Sequence, residues 1–146
     1  MCEFKSAIVT RQGKVLHHHA SQSHEDLIEF FQLRDNGTNF VRVEFVPKGR
    51  AYATLDAYEL KLDETEAPPW WDEKLIKSTT KSLRLVIKNM IVTEERNILL
   101  GGYWIFGDGG IVGKVVNGTI MYMLDSSQVG EMWDSSRVVT DKRTGE

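Results

Sequence analysis

The apolar positions of this chain switch between a strand period, a helix period and a longer repeat. Residues 5–10 (KSAIVT) and 14–18 (KVLHH) are short apolar runs flanking Arg11-Gln12-Gly13, which predicts a β-hairpin. Leu27, Ile28, Phe30, Phe31 and Leu33 crowd one side of a helical projection, so a helix is expected over 24–33, capped by Ser23, with Glu25 and Asp26 at its positive end. After the turn-forming stretch 34–39, residues 40–46 (FVRVEFV) alternate as a half-buried strand does, with Phe40, Arg42, Glu44 and Val46 on one face. Residues 52–62 supply a further strand-like stretch, and 63–69 an acidic, proline-containing loop that leads into Trp70-Trp71. From Asp72 to Ile91 the apolar residues recur mainly at three- and four-residue intervals, which predicts a long amphipathic helix.

The last third of the chain aligns in nines: GDGGIVGKV from Gly107, VNGTIMYML, DSSQVGEMW and DSSRV. Two columns are apolar throughout, Ile111, Ile120, Val129, Val138 and Phe106, Val115, Leu124, Trp133. A third holds Gly109, Gly118, Ser127 and Ser136, which are small or turn-forming. A solenoid of strand-plus-turn units with stacked ladders has this period. So does an antiparallel meander, for which Asp108-Gly109 and Asn117-Gly118 are hairpin signals. Ladder stacking asks for the same residue at equivalent positions and a meander does not, which favours the solenoid. The expected fold class is therefore α+β, a small antiparallel sheet with two helices followed by a short C-terminal β-repeat. The expected division is 1–97 for the α+β part and 98–146 for the repeat and tail, packed as one unit. The charged stretch 141–146 is expected to act as a solvated stop for the last strand edge, or that edge meets another subunit in a homo-oligomer.

Composition narrows the function classes. A chain of 146 residues with 41% hydrophobic and 27% charged residues has enough apolar material for a real core. Its net charge of −3 argues against strong nonspecific nucleic-acid binding, which needs clustered Lys and Arg. No apolar run approaches a membrane span or a signal peptide, and the single cysteine forms no internal disulfide, so a cytoplasmic location is expected.

Chemistry-bearing residues are few. Cys2 is a candidate N-terminal nucleophile, but Glu3 and Phe4 supply no glycine-rich loop for an oxyanion site. His17-His18-His19, with His24, invites a metal reading, yet adjacent histidines on a strand point to opposite faces and no carboxylate lies at a recognised spacing. The glycine-rich stretch 101–110 lacks the lysine-serine ending of a P-loop. Trp70-Trp71 is harder to absorb into a core, because one ring can staple the long helix while the other is left for a ligand or subunit contact. No Ser-His-Asp set or paired acid-base pattern is legible. The expectation is a non-enzymatic protein without metal or cofactor.

The opening Met-Cys-Glu-Phe-Lys-Ser-Ala-Ile-Val, the helix start at Ser23-His24-Glu25-Asp26-Leu27 and Phe40-Val41-Arg42-Val43-Glu44 resemble small phage-encoded anti-defence proteins, in particular the first type of anti-Thoeris protein. The tail is similar to nonapeptide repeats that end some phage and prophage proteins. The resemblance covers mainly residues 1–46 and implies a small α+β oligomer in the host bacterial cytosol that sequesters cyclic ADP-ribose-type signals. No family ligand residue is carried over one by one. Such a sponge asks for an aromatic plate under adenine, cations at the diphosphate and polar groups on the ribose hydroxyls. Trp70, Trp71, Tyr103, Trp104, Lys114, Asn117 and Arg137 are the candidate ligand-binding residues. The alternative is a phage interaction protein that inhibits a host protein through its repeat surface.

Overall fold

The computed structural model of the chain describes residues 5–18, 23–34, 39–124 and 126–142. The chain divides into two compact units, residues 1–51 with 56–86, and residues 52–55 with 87–146. The class is α+β; both expected helices form, the first ending at Phe30 rather than Leu33, while the strands between Ile91 and Phe106 were not expected from the sequence. No described helix is long and apolar enough to cross a membrane.

The first unit is an antiparallel sheet in the order β2-β1-β3-β4, formed by β1 (Ser6–Thr10), β2 (Val15–Leu16), β3 (Phe40–Pro47) and β4 (Tyr58–Leu62). The hairpin turn expected at Arg11-Gln12-Gly13 forms with Gly13 at φ +91, and Ser6 to Thr10 then pair in register with Glu44 to Phe40. β1 is central and Ala7, Ile8 and Val9 are fully buried. Helix α1 (His24–Phe30) starts at Ser23, whose hydroxyl accepts the Asp26 amide at 3.3 Å. Its Leu27 packs with Ile8 and Phe40 on the sheet. Helix α2 (Glu73–Met90) begins after Asp72, whose carboxylate accepts the Leu75 amide at 3.0 Å.

The second unit consists of β5 (Ile91–Val92), β6 (Glu95–Leu100), β7 (Tyr103–Phe106), β8 (Ile111–Val116), β9 (Thr119–Leu124), β10 (Gln128–Trp133) and β11 (Arg137–Lys142). These strands alternate between two sheets, β10-β8-β6 and β11-β9-β7-β5, and every pairing in both is parallel. Parallel neighbours cannot be joined by a two-residue hairpin, so each strand passes to the other sheet before the chain returns. Glu95 pairs with Ile111, sixteen residues on, Ile111 with Gln128, seventeen on, and Thr119 with Arg137, eighteen on. A nine-residue unit therefore stacks on the unit two places away, because its immediate neighbour lies in the opposite sheet.

The observed inward positions sharpen the apolar columns. Val112 and Val115, Ile120 and Met123, Val129 and Met132 form the core or pack on it, with Leu99, Trp104, Phe106 and Val138. Ile111 and Trp133, assigned inward from the strict nine-residue alignment, are 38% and 47% exposed. From Val112 to Ile120 the step is eight residues, so a frame of nines carried through this turn slips by one. Two other expectations change. β5 lies upstream of the expected 97/98 boundary and β6 runs across it, and these strands pair with β7 and β8. Residues 52–55, expected to join a strand of the body, belong to the second unit, where the Tyr52 ring stacks on Tyr122 at 3.7 Å.

The turns are tied across the full winding. Asp108 accepts from the amide and hydroxyl of Ser126 at 3.3 and 3.2 Å, and Asn117 accepts from those of Ser135 at 3.3 and 2.8 Å. This explains the repeated Asp-Ser-Ser, because its first serine reaches the turn residue eighteen positions earlier. Between the turns the backbones come close at Gly113, where a Cβ would stand 2.7 Å from the Asn97 carbonyl oxygen. Gly113→Ala is expected to cost about 1–3 kcal/mol through this overpacking and to lower the melting temperature by several degrees. A melt followed by circular dichroism that leaves the midpoint unchanged would refute the close approach.

Candidate functional site

A cleft of about 520 Å³ opens in the second unit, lined by Ala53, Leu55, Lys88, Asn89, Ile91, Thr93, Glu94, Arg96 and Trp104. Each element contributes for a local reason. Lys88 sits in the last turn of α2, where a cation complements the helix dipole. Arg96 projects from β6 at the edge of its sheet, and its Nη2 lies 3.3 Å from the Glu94 carboxylate. Trp104 is fixed in β7 by its indole N–H, which donates to the Gly101 carbonyl at 2.6 Å. Part of the indole packs on the core while part lines the cleft. The Ala53 wall is held close because Gly107 has no Cβ, which would otherwise stand 2.8 Å from the Ala53 methyl.

This arrangement offers an aromatic surface, two cations and the amide and hydroxyl of Asn89 and Thr93 in one volume of small-molecule size. The Arg96–Glu94 pair is exposed, with side chains 40% and 71% accessible, and such pairs are worth about 1 kcal/mol or less. An anionic ligand of higher charge density can thus take the guanidinium from Glu94.

The residues expected from sequence are distributed more widely. Trp104 lines the cleft, and the other six are not among its walls. Tyr103 pairs with Thr119, which pairs with Arg137, so Tyr103 and Arg137 share one ladder of the β11-β9-β7-β5 sheet. Lys114 lies over the Trp133 ring, 3.6 Å from its centroid, on the outer face of the β10-β8-β6 sheet. Asn117 is a turn residue at φ +53 whose side-chain Oδ1 accepts from Ser135. Trp70 and Trp71 are half-buried in the first unit, just before α2. Sequence reasoning missed Lys88, Asn89 and Arg96. The first two fall at the end of the expected long helix, and the place of Arg96 eight residues before Trp104 was the one available signal, the same step that separates their partners Val112 and Ile120.

In the first unit, Lys5 is 1% exposed and its ammonium donates to the His18 carbonyl at 3.1 Å. Burial pushes its pKa down to about 8. The His17 pKa is also lowered, first by burial and then by the nearby charges of Lys5 and His18. Cys2 and His19, singled out from the sequence, lie outside the described residues.

Because the Lys5 pKa is lower in the folded chain than the ordinary 10.5, the unfolded chain binds the extra proton between about pH 8 and 10.5. Stability from this group therefore rises with pH across that window, by an amount on the order of 3 kcal/mol if the buried amine deprotonates fully. Denaturant titrations of the wild type and Lys5→Met at pH 7.5 and 10 measure it. The wild type is expected to gain on the variant as pH rises, and parallel pH profiles would contradict the buried charge. No family model, curated protein or solved structure matches the chain, so the reading of the cleft rests on its own geometry.

Proposed function

We propose that the protein is a non-catalytic binding protein that holds a small, anionic, base-bearing ligand of the nucleotide class in the cleft beside Trp104. The observation that carries this reading is the meeting of one indole with Lys88 and Arg96 in a single cleft. An aromatic face stacks on a base, guanidinium and ammonium groups hold phosphate, and Asn89 and Thr93 suit hydroxyls. The resemblance of residues 1–46 to phage anti-defence proteins narrows the proposed ligand to a cyclic ADP-ribose-type immune signal, held rather than converted. On this proposal the tail is a solenoid-type repeat whose first turns build the binding wall.

Filtration distinguishes the outcomes. Mixed with cyclic ADP-ribose isomers, the protein is expected to retain one isomer on the filter and release it chemically unchanged on heating. Arg96→Ala and Lys88→Ala are each expected to weaken retention about tenfold, the loss of one charge-assisted phosphate contact. All nucleotide in the filtrate defeats the reading, and an altered product makes the protein an enzyme.

A second reading, inhibition of a host protein through the repeat surface, is favoured by a different observation. Leu100, Val116 and Trp133 form one ladder of the β10-β8-β6 sheet, and Leu100 is 70% and Trp133 47% exposed. Parallel sheets are normally covered on both faces. If a macromolecular partner, or a second copy in a homo-oligomer, covers this face, Leu100→Lys is expected to abolish its capture and leave nucleotide retention intact. Capture that survives Leu100→Lys and fails in Arg96→Ala would move the partner to the cleft.

A further inference from the structure

His24, Glu44 and Asp63 come together in the first unit from three separate elements, the start of α1, the middle of β3 and the residue after β4. One ligand atom of each lies within 4.8 Å of the others. His24 is 2% exposed, and its Nε2 stands 2.8 Å from the Val43 carbonyl oxygen. A carbonyl oxygen only accepts, so Nε2 carries a proton and Nδ1 is the nitrogen left to take a metal. That nitrogen is 3.3 Å from Asp63 Oδ2.

Nδ1 and one oxygen of each carboxylate lie close enough together to share a single divalent cation. The backbone carbonyl on Nε2 is also the kind of outer partner that fixes ligand histidines in metal sites.

We propose that His24 Nδ1, Glu44 and Asp63 bind a divalent transition-metal ion such as Zn²⁺ or Mn²⁺. One nitrogen and two carboxylate oxygens on separate rigid elements suit such ions, with water completing the coordination. The Asp63 side chain is 55% exposed, which leaves a path from solvent to the buried imidazole. The neighbouring run His17-His18-His19 is the obvious competitor for metal, and the carboxylates discriminate, since removing them leaves every histidine in place.

The test uses the full chain stripped with chelator and titrated with ZnCl₂, and separately MnCl₂, by calorimetry, with thermal melts alongside. One ion per chain is expected, together with a metal-dependent rise in melting temperature. Asp63→Asn and Glu44→Gln should each weaken binding at least about tenfold, as loss of a ligand to such a site does. The metal-free melts report that both variants remain folded, which avoids reliance on a change at the buried His24. No saturable binding up to millimolar metal overturns the proposal. So does an unchanged affinity in both variants, which would place the ion on the His17–His19 run.

Discussion

Parallel strand pairing is the constraint from which the second unit follows. Two parallel neighbours need a connection that carries the chain back to its starting edge. Here that connection is itself a strand in a second sheet, so one winding consumes sixteen to eighteen residues and the sequence repeats at half that length. The interior between the sheets holds Val92, Leu99, Phe106, Val112, Val115, Ile120 and Met123, and each fully buried side chain of this kind contributes about 1.5–3 kcal/mol. The turns would otherwise carry unmatched backbone groups. Asp108 and Asn117 receive the Ser126 and Ser135 amides one winding later and tie the layers together.

The winding also explains why the cleft contains residues far apart in the chain. Arg96 and Trp104 fall on successive strands in opposite sheets of the first winding, and the last turn of α2 brings Lys88 and Asn89 to the same volume. Tyr52 stacking on Tyr122 sets the short segment that supplies Ala53 and Leu55. The net charge of −3 gave no sign of Lys88 and Arg96 meeting here, because a sum over the chain does not record which charges the fold brings together. The first unit gathers the reverse chemistry, carboxylates around an imidazole.

Legibility in the sequence follows how local each determinant is. Ser23 and its helix, the Gly13 turn and α2 are specified within a few residues, and each starts where the pattern puts it, although the first helix stops at Phe30, short of Leu33. The nine-residue period is also local, and the stretch that carries it forms strands, but a period does not state whether neighbouring units share a sheet. One eight-residue step between Val112 and Ile120 was enough to turn Ile111, Leu124 and Trp133 into apparent core residues. The convergence of His24, Glu44 and Asp63 was illegible because the partners are twenty and nineteen residues apart in sequence, joined only by the register of β3 and β4. The same holds for Lys88 beside Trp104.

At the C-terminal end of the two sheets the edge strands β11 and β10 differ in a way that bears on assembly. Asp141 occupies the β11 position that pairs with Met123, and Met123 in turn pairs with Phe106, both of which are buried. A further strand laid on β11 would have to cover this exposed carboxylate, and a charge on an edge strand is one of the devices that protect a free edge. β10 carries no such charge at the equivalent place, since Val129 and Met132 face the interior and Trp133 the outer side. Continuous end-to-end stacking requires the β10 and β11 edges of one copy to meet the β6 and β5 edges of the next. The charge at Asp141 therefore works against open-ended fibres, while the apolar outer face at Leu100 and Trp133 remains available for a single, finite contact.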